Sequence, residues 1–213
     1  MHDVVRILKR EIKRWKVPVV GVVAQRTRDP FQVLVSTLLS LRTKDETTER
    51  ASTRLFAVAR TPRAMTGMRL HRLERLIYPV CFYRNKARTL KSVSRSLLDE
   101  HGGRVPDDLD ELLKLKGVGR KTANLVVTLG FGKPGICVDT HVHRIMNRLG
   151  YVRTRTPDET EAVLRGKLPR AYWNVINDLL VTYGQNLCRP VSPWCSRCAI
   201  RRFCDRVGVV VSR

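Results

Sequence analysis

Acidic residues are scarce in this 213-residue sequence, where 19 Asp and Glu stand against 41 Lys and Arg and leave a formal net charge of +22. So large an excess exceeds what solubility requires, and it predicts a polyanionic partner. A solvated basic surface is the simpler alternative, but its self-repulsion would be uncompensated. No basic amphipathic segment stands apart from the rest of the chain, which favours nucleic acid over a membrane surface as the partner.

Long apolar runs are also missing, since no stretch approaches the roughly 20 residues that a membrane-spanning helix needs. The amino-terminal segment places Val4, Ile7 and Leu8 at helical spacing with charges between them, unlike the unbroken apolar run of a signal peptide. We therefore expect a cytoplasmic or nucleoid location. In such a reducing compartment, the six cysteines would hold metal more often than they form disulfides.

No pair of alternating apolar and polar runs flanks a hairpin turn, so the sequence does not predict a β-sheet. Apolar residues recur at helical spacing throughout, between short segments rich in Pro and Gly. We predict an all-α fold with short loops, in which the segments 106–108 and 156–159 mark two helix starts. The predicted helices cover residues 31–41, 47–59, 70–77, 87–98, 109–115, 122–129, 142–149 and 174–183. Predicted breaks lie at Pro62, 101–103, Pro106, 117–119, 132–134 and Pro157.

A cysteine cluster near the carboxyl end has the spacing C-x6-C-x2-C-x5-C, formed by Cys188, Cys195, Cys198 and Cys204. Thiolates select either tetrahedral zinc or an iron–sulfur cluster. An all-cysteine zinc site usually offers two C-x2-C pairs, whereas this segment has one, so the unequal spacing favours a [4Fe–4S] cluster. The loop is rich in Pro and Arg, and we expect no apolar core to bury it. Cys81 and Cys137 lie in apolar surroundings and are predicted to serve packing.

A glycine pair joins two of the predicted helices in the segment Gly117-Val118-Gly119. Two glycines at this spacing permit a tight turn with positive φ and direct successive backbone N–H groups outward at the start of the next helix. Such a helix start binds anions, and phosphate is the anion that a strongly basic protein would meet. The alternative is a plain turn between helices, since G-x-G is a weak signal by itself.

Lys121 and Asp139 are the candidate catalytic residues. Lys121 follows the glycine pair at a helix start beside Lys116 and Arg120, where neighbouring positive charge disfavours the protonated amine. A neutral amine is a nucleophile, although most lysines of a basic protein are merely solvated. Asp139 precedes a predicted helix in the segment 138–144, which also contains two histidines, and helix capping is its alternative role.

Three motifs resemble those of endonuclease III, in the helix-hairpin-helix DNA glycosylase superfamily. They are L-x-G-V-G-R-K-T-A at 115–123, V-D-T-H-V-x-R at 138–144 and the four cysteines at 188–204. The segments 38–45 and 83–87 are similar to further parts of the same family, so the resemblance covers essentially the whole chain. Order and spacing agree across all three motifs.

The resemblance implies a bifunctional DNA glycosylase and AP lyase of base excision repair, a monomer that acts on damaged double-stranded DNA. Its Lys121 would attack C1′ of a flipped nucleotide that carries an oxidised pyrimidine, assisted by the carboxylate of Asp139. The resulting Schiff base would lead to strand cleavage 3′ to the abasic site by β-elimination. One [4Fe–4S] cluster would fix a basic loop against the DNA backbone and would perform no hydrolytic chemistry.

The resemblance also implies two helical domains with the active-site cleft between them. Residues 24–134 would form a six-helix domain that carries the helix-hairpin-helix. Residues 1–23 and 135–213 would form a discontinuous helical domain that carries the cluster. The implied DNA-binding residues are Arg42, Phe82, Gly117, Val118, Gly119, Arg120 and His141.

Some positions depart from the commonest family pattern. Arg42 stands where Gln is frequent, and it has the donors to bind O6 and N7 of an opposite guanine. Phe82 stands where Leu is frequent, at an implied wedge into the base stack, and Cys81 stands where Gly is frequent. Lys116 replaces a frequent Pro before the hairpin. These differences bear on the preferred damaged base and opposite base, and they leave the catalytic pair intact.

Two other functions are compatible with parts of the sequence. The first is a monofunctional glycosylase that removes a mismatched base without cutting the strand. Its adenine-specific branch lacks a lysine at the position of Lys121 and has Glu near the position of Thr37, unlike this chain, but removal of thymine or uracil opposite G stays open. The second is a non-enzymatic DNA-binding module that senses redox state through the cluster, which the joint presence of Lys121 and Asp139 disfavours.

Overall fold

The computed structural model of the protein describes residues 1–15 and 29–213. Within these residues the chain forms helices joined by short turns, and no β-strand is present. The predicted all-α fold is therefore confirmed. None of the helices in this part of the chain is long and apolar enough to cross a membrane.

The α-helices of the described part are numbered in chain order, and each predicted helical segment overlaps one of them. From the amino end they are α1 (His2–Glu11), α2 (Pro30–Ser40), α3 (Asp45–Phe56), α4 (Pro62–Gly67), α5 (Leu70–Ile77), α6 (Tyr83–His101), α7 (Leu109–Lys114), α8 (Arg120–Leu125), α9 (Thr140–Arg148), α10 (Pro157–Lys167) and α11 (Trp173–Asn186). Helix α8 continues directly into a π-helical segment, Val126–Gly130.

Three helices begin with a capping side chain followed by proline at the first helical position. At the start of α4, Thr61 Oγ1 accepts a hydrogen bond from Ala64 N at 3.2 Å. Asp29 begins α2 and Thr156 begins α10 in the same way. Proline suits this position because the N–H that it lacks has no partner within the helix. Pro62 therefore lies at a helix boundary, as the predicted break requires, but it also begins a short helix that the sequence pattern did not predict.

The described residues divide into two compact units. Unit 1 contains residues 1–15 together with Pro134–Arg213, and unit 2 contains residues 29–133. The limits of the six-helix domain, 24–134, remain a prediction. Their first boundary, between residues 23 and 24, lies outside the described residues.

The core of unit 2 is centred on α2, which packs against α3, α6, α8 and the π-helical segment. Leu34 and Leu39 on α2 are fully buried. The end of the π-helical segment approaches the start of α2 closely because residue 130 is glycine, since a Cβ there would lie 3.1 Å from Pro30 Cα. The turn between α7 and α8 is anchored in the same core, which includes the residues at 115 and 118.

The core of unit 1 joins α1, α9, α11 and the cysteine loop 188–204. Leu8 on α1, Ile145 on α9 and Tyr183 on α11 are buried together. Ile200, between the last two cysteines, is 2% exposed and joins them. Three of the loop's cysteines also pack, partly buried, against this core. The expectation that the loop has no apolar core is wrong, because Ile200, Phe203 and three of the cysteines pack against the core of unit 1.

Candidate active site and nucleic-acid interface

The hairpin between α7 and α8 is a tight turn in which only one glycine has positive φ. Gly117 has a φ of 93°, whereas Gly119 has a φ of −95° and forms the N-cap of α8. The predicted tight turn with positive φ is therefore present, and Gly117 is the glycine of the pair that adopts it. Val118 is 6% exposed, and its N–H donates to Leu115 O at 2.9 Å. The Val118 side chain thus anchors the turn in the core of unit 2.

The two hairpin glycines are needed for different reasons. A Cβ on Gly117 would lie 2.6 Å from Thr89 Cγ2, in a left-handed backbone conformation that side chains rarely adopt. A Cβ on Gly119 would meet no atom within 4 Å. Since neither packing nor backbone angle requires glycine at 119, its missing side chain leaves the backbone at the start of α8 accessible. The first N–H groups of a helix have no partner within the helix, so they suit an anion that can reach them.

We expect Gly117→Ala and Gly119→Ala to separate folding from binding. Gly117→Ala should lower the free energy of unfolding by about 1–3 kcal/mol, because it combines backbone strain with steric overlap. Gly119→Ala should change that free energy by less than about 0.5 kcal/mol. It should nevertheless weaken binding of duplex DNA about tenfold, because its methyl group would keep a phosphate from the backbone N–H groups. Denaturant unfolding and fluorescence polarisation measure the two effects, and unchanged DNA affinity of Gly119→Ala would contradict a phosphate contact at this turn.

Lys121 is the second residue of α8 and is half-buried. Ala123, two residues later, is fully buried in the core of unit 2, and its N–H donates to Gly119 O at 2.9 Å as the first bond of the helix. The start of α8 is therefore held rigidly. Lys116 is exposed and precedes Gly117, so it lies before the turn and not on the helix. Lys121 therefore begins from the first turn of α8, whereas Lys116 begins from the residue before the hairpin turn.

Asp139 caps α9 with one carboxylate oxygen. Its Oδ1 accepts hydrogen bonds from His141 N at 2.8 Å and from Val142 N at 3.0 Å, and the residue is 9% exposed. Helix capping, the alternative role that the sequence left open, is therefore present in the structure. It does not exclude a catalytic role, because a carboxylate can accept more hydrogen bonds than the two of the cap. The cap also fixes the carboxylate at the start of α9.

His141 is held by an arginine on the same helix. Its Nδ1 lies 3.0 Å from Arg144 Nη2, and a guanidinium nitrogen can only donate. Nδ1 is therefore the acceptor, which leaves Nε2 as the nitrogen that carries the ring proton. Gly184 on α11 provides the room, since a Cβ there would lie 2.6 Å from Nδ1. His143, by contrast, pairs with Thr160 Oγ1 at 2.7 Å and links α9 to α10.

Arg42 and Phe82 are far apart in sequence but form a cation–π pair on unit 2. The guanidinium carbon of Arg42 lies 5.3 Å from the centroid of the Phe82 ring. Both residues are in the left-handed backbone region, with φ values of 56° and 57°, a conformation that costs a residue with a Cβ about 1–2 kcal/mol. Phe82 is 56% exposed, so burial of its ring does not explain this strain. Strain that packing does not explain is typical of functional positions.

Lys86, in the first turn of α6, is a site residue to which the sequence motifs gave no role. Its Nζ donates to Leu39 O at 2.7 Å, Leu41 O at 2.5 Å and Thr43 Oγ1 at 3.1 Å. Burial lowers the pKa of Lys86 to about 8, and the nearby Cys81 opposes the shift. A lowered pKa is also expected of a nucleophilic lysine, but all three N–H donors of this ammonium group are engaged by protein oxygens. One feature of the sequence could have identified Lys86. It is a cation in the first turn of a helix, where its charge opposes the helix dipole and therefore needs a local partner.

The cysteine loop places its four thiols within electrostatic reach of one another. Burial raises the pKa of Cys198 and of Cys204, and the neighbouring Cys188 and Cys195 raise both pKa values further. Bringing four thiolates together therefore requires a compensating positive charge, which a bound metal centre supplies. The arrangement suits a metal centre better than it suits four free thiols.

Polar side chains donate hydrogen bonds to two of these sulfur atoms. Arg148 Nη1 donates to Cys188 Sγ, and Tyr183 Oη donates to Cys198 Sγ, both at 3.3 Å. Donors of this kind orient thiolate ligands and stabilise their charge. A set of four thiolates suits either tetrahedral zinc or an iron–sulfur cluster.

The chain is similar to known proteins along most of its length. Residues 35–170 match the family model described as HhH-GPD superfamily base excision DNA repair protein. The chain is 52% identical to endonuclease III of Thermotoga maritima, over 83% of each protein. A solved non-covalent endonuclease III–DNA complex matches with a TM-score of 0.84 at 35% identity, over 96% of this chain and 95% of that one. A trapped endonuclease III–DNA covalent intermediate matches with a TM-score of 0.79 at 38% identity, over 84% of each chain.

Proposed function

The chain belongs to the HhH-GPD superfamily of base excision DNA repair proteins, and from that premise we propose that Lys121 and Asp139 carry out its chemistry. It is a DNA glycosylase and AP lyase of the endonuclease III kind, which excises oxidised pyrimidines and then cuts the strand. The observation that supports the assignment of Lys121 most strongly is its position. It follows a hairpin whose exposed backbone suits a DNA phosphate, on a helix start that the core holds rigidly.

The reaction begins when the amine of Lys121 attacks C1′ of a flipped nucleotide. The bond between C1′ and the damaged base breaks, and the base leaves with the bonding electrons. The sugar ring then opens, because the C1′–O4′ bond breaks, O4′ takes a proton, and C1′ becomes double-bonded to the lysine nitrogen as a Schiff base. This Schiff base makes the proton on C2′ acidic, and loss of that proton expels the 3′ phosphate by β-elimination. Water then hydrolyses the imine and releases Lys121.

Asp139 supplies negative charge to the first step. Its carboxylate removes a proton from the amine of Lys121 or stabilises the positive charge that develops on the sugar as the base leaves. The cap of α9 holds this carboxylate in place for the task. His141 contributes its Nε2–H as a donor to the DNA backbone, in the orientation that Arg144 sets.

Arg42 and Phe82 fill the space that the flipped nucleotide leaves in the duplex. Removing a base from the stack costs a few kcal/mol, roughly, and inserted side chains offset part of this cost. The exposed and strained position of Phe82 supports this role. The guanidinium of Arg42 has the paired donors that bind O6 and N7 of guanine, which suits a purine opposite the lesion.

The hairpin and the cysteine loop grip the DNA backbone. Gly119 and Arg120 bind a phosphate at the start of α8. The loop contributes four exposed arginines of its own to backbone binding, namely Arg189, Arg197, Arg201 and Arg202. Because the protein carries a formal charge of +22, its binding to DNA is largely electrostatic and independent of base sequence.

One [4Fe–4S] cluster is held by Cys188, Cys195, Cys198 and Cys204. It fixes the arginines of the loop in place, so its contribution is to binding. We expect the purified protein to be yellow-brown and to contain about four irons per chain. Cys198→Ser removes a ligand and should lower the iron content, measured by elemental analysis and visible absorption. Cys81→Ser lies outside the loop and should keep all of the iron, and a colourless anaerobic preparation with one zinc and no iron would rule out the cluster.

The activity itself is tested on duplexes that carry one modified base opposite guanine or adenine. Thymine glycol and dihydrouracil should be excised, and the strand should be cut without added base or heat. Uracil and thymine opposite G serve as comparison substrates. Base loss without a strand break would indicate a monofunctional glycosylase, and binding without either reaction would indicate a non-enzymatic module.

The protein acts as a monomer, in the cytoplasm or nucleoid where chromosomal DNA lies. Light scattering should give the mass of one chain in free solution. The same measurement on a short duplex with one lesion should give one chain per duplex.

A further inference from the structure

Two turns of unit 2 carry the strained residues Arg42 and Phe82. One turn, residues 41–44, follows α2, and the other, residues 78–82, precedes α6. Helices α3, α4 and α5 separate these turns in the sequence. The packing of helices brings two such turns together, but it does not fix their backbones, since the carbonyl and N–H groups of a turn need partners of their own.

Lys86 joins the two turns through its backbone and its side chain. The backbone N–H of Lys86 donates to Phe82 O at 3.0 Å in the first turn of α6. Its side chain reaches the end of α2, where Nζ donates to Leu39 O and Leu41 O. One residue therefore contacts Phe82 directly and also holds Leu41, the neighbour of Arg42.

Thr43 completes the connection on the other side of Arg42. Its Oγ1 accepts hydrogen bonds from Lys86 Nζ at 3.1 Å and from Cys81 N at 3.2 Å, and donates to Leu41 O at 3.3 Å. A hydroxyl group has one proton and two lone pairs, so this oxygen makes every bond that it can. Both neighbours of Arg42 and the residue before Phe82 therefore belong to one hydrogen-bond network.

We propose that Lys86 is a positioning residue for base excision, which holds Arg42 and Phe82 as one preformed wedge that enters the DNA when a nucleotide is flipped. This inference rests on the proposed role of those two side chains in the base stack. Lysine suits the task because an ammonium group donates three bonds from the end of a long stem. Its burial, which lowers the pKa of Lys86 to about 8, limits the competition of water for the same carbonyl groups.

Loss of this amine should affect the opening of the duplex more than the chemistry that follows. Without it, Leu39 O, Leu41 O and Thr43 Oγ1 each lose one hydrogen bond, and the two turns are free to leave the strained left-handed conformation. Arg42 and Phe82 would then have to be ordered again at each encounter with DNA. A preformed abasic site has no base to remove, so its cleavage by Lys121 should not require this ordering.

The test compares Lys86→Met with a matched variant on the same helix, Lys91→Met. Lys91 Nζ also donates to two backbone carbonyls, those of Thr66 and Met68, away from both strained turns. Under single-turnover conditions, Lys86→Met should slow excision of thymine glycol from duplex DNA by about tenfold or more. Its cleavage of a preformed abasic site should change by less than about twofold, and Lys91→Met should keep both rates within about twofold at a similar Tm. A 2-aminopurine next to the lesion should report slower flipping in Lys86→Met alone.

Phe82→Ala separates this inference from the proposed function. If Arg42 and Phe82 act as a wedge, Phe82→Ala slows excision from duplex DNA and leaves cleavage of an abasic site unchanged. The double variant Phe82→Ala/Lys86→Met should then excise at nearly the same rate as the slower of the two single variants. If Phe82→Ala slows excision and Lys86→Met does not, the positioning role is wrong and the wedge stands. If Phe82→Ala has no effect, the wedge itself is wrong and the inference falls with it.

Thr43→Val is the milder variant if Lys86→Met does not fold. It removes the hydroxyl that links Lys86 to Cys81 N and leaves the two carbonyl bonds of Nζ. The same selective loss on duplex substrate, of smaller size, is expected. Unchanged duplex excision and flipping in Thr43→Val, or equal losses on duplex and abasic substrates, would overturn the positioning role.

Discussion

Borohydride should trap the protein covalently on damaged duplex DNA, and Lys121→Gln should give no trapped adduct while it still binds the same DNA. Reduction of the Schiff base between Lys121 and C1′ gives a stable amine, so the trapped band reports the nucleophile directly. Glutamine keeps most of the length and hydrogen bonding of the side chain but cannot form an imine. Excision and strand cleavage should fall by at least about 10³-fold. Gel electrophoresis after borohydride treatment and a binding titration measure the two properties.

Two other lysines are controls for this assignment. Lys116 has the same charge but lies before the hairpin turn, so Lys116→Gln should still trap. Lys86 has the lowered pKa that a nucleophile needs, yet its N–H groups are engaged by Leu39, Leu41 and Thr43, so Lys86→Met should also still trap. Loss of trapping in either control with retention in Lys121→Gln would show that the nucleophile is misassigned. Absence of trapping in the unmodified protein would support the monofunctional alternative.

Asp139→Asn should reduce base excision by about 10²- to 10³-fold with little change in stability. The structure makes this substitution informative, because Asp139 is both an N-cap and the proposed catalytic carboxylate. Asparagine caps a helix about as well as aspartate, so the bonds to His141 N and Val142 N should survive. The substitution removes only the negative charge that assists the attack of Lys121. Single-turnover excision and thermal unfolding measure the two effects.

Asp108→Asn is the matched control for the cap. Asp108 begins α7, where its Oδ1 accepts from Asp110 N at 2.9 Å and from Glu111 N at 3.1 Å, in the same geometry as Asp139. Both variants should lose similar, small amounts of stability from the weaker interaction with the helix dipole, about 0.3–1 kcal/mol. Only Asp139→Asn should lose excision. If Asp139→Asn excises at the normal rate, or if both variants lose activity in proportion to their stability, Asp139 serves as a cap alone.

The sequence determined by itself those features that are local in the chain. Helical periodicity predicted the all-α fold because each helix carries its own apolar face. The hairpin, the segment that begins with Asp139 and the cysteine spacing are continuous motifs, so their residues could be named before any fold was known. Capping residues are equally local, as Asp139 shows.

Local patterns were insufficient where one residue type has several uses. Pro62 was correctly placed between two predicted helices, but the short helix that it begins was not predicted, since proline is excluded from a helix interior and favoured at its first position. The glycine pair predicted a tight turn with positive φ, but not which glycine adopts it, and Gly119 instead leaves the backbone accessible because it has no side chain. Ile200 was too isolated to indicate a core, yet it is buried.

Only the tertiary structure decided which distant residues meet. Lys86 reaches Leu39, Leu41 and Thr43 across 43 to 47 positions of sequence, and no periodicity indicates those contacts. The Arg42–Phe82 pair is likewise a product of helix packing within unit 2. The physical reason is that a periodic pattern states which face of a helix is buried but not what the face packs against. The partners of a turn's carbonyl groups are fixed only when the helices around it have assembled, because burial then removes the water that would otherwise bind them.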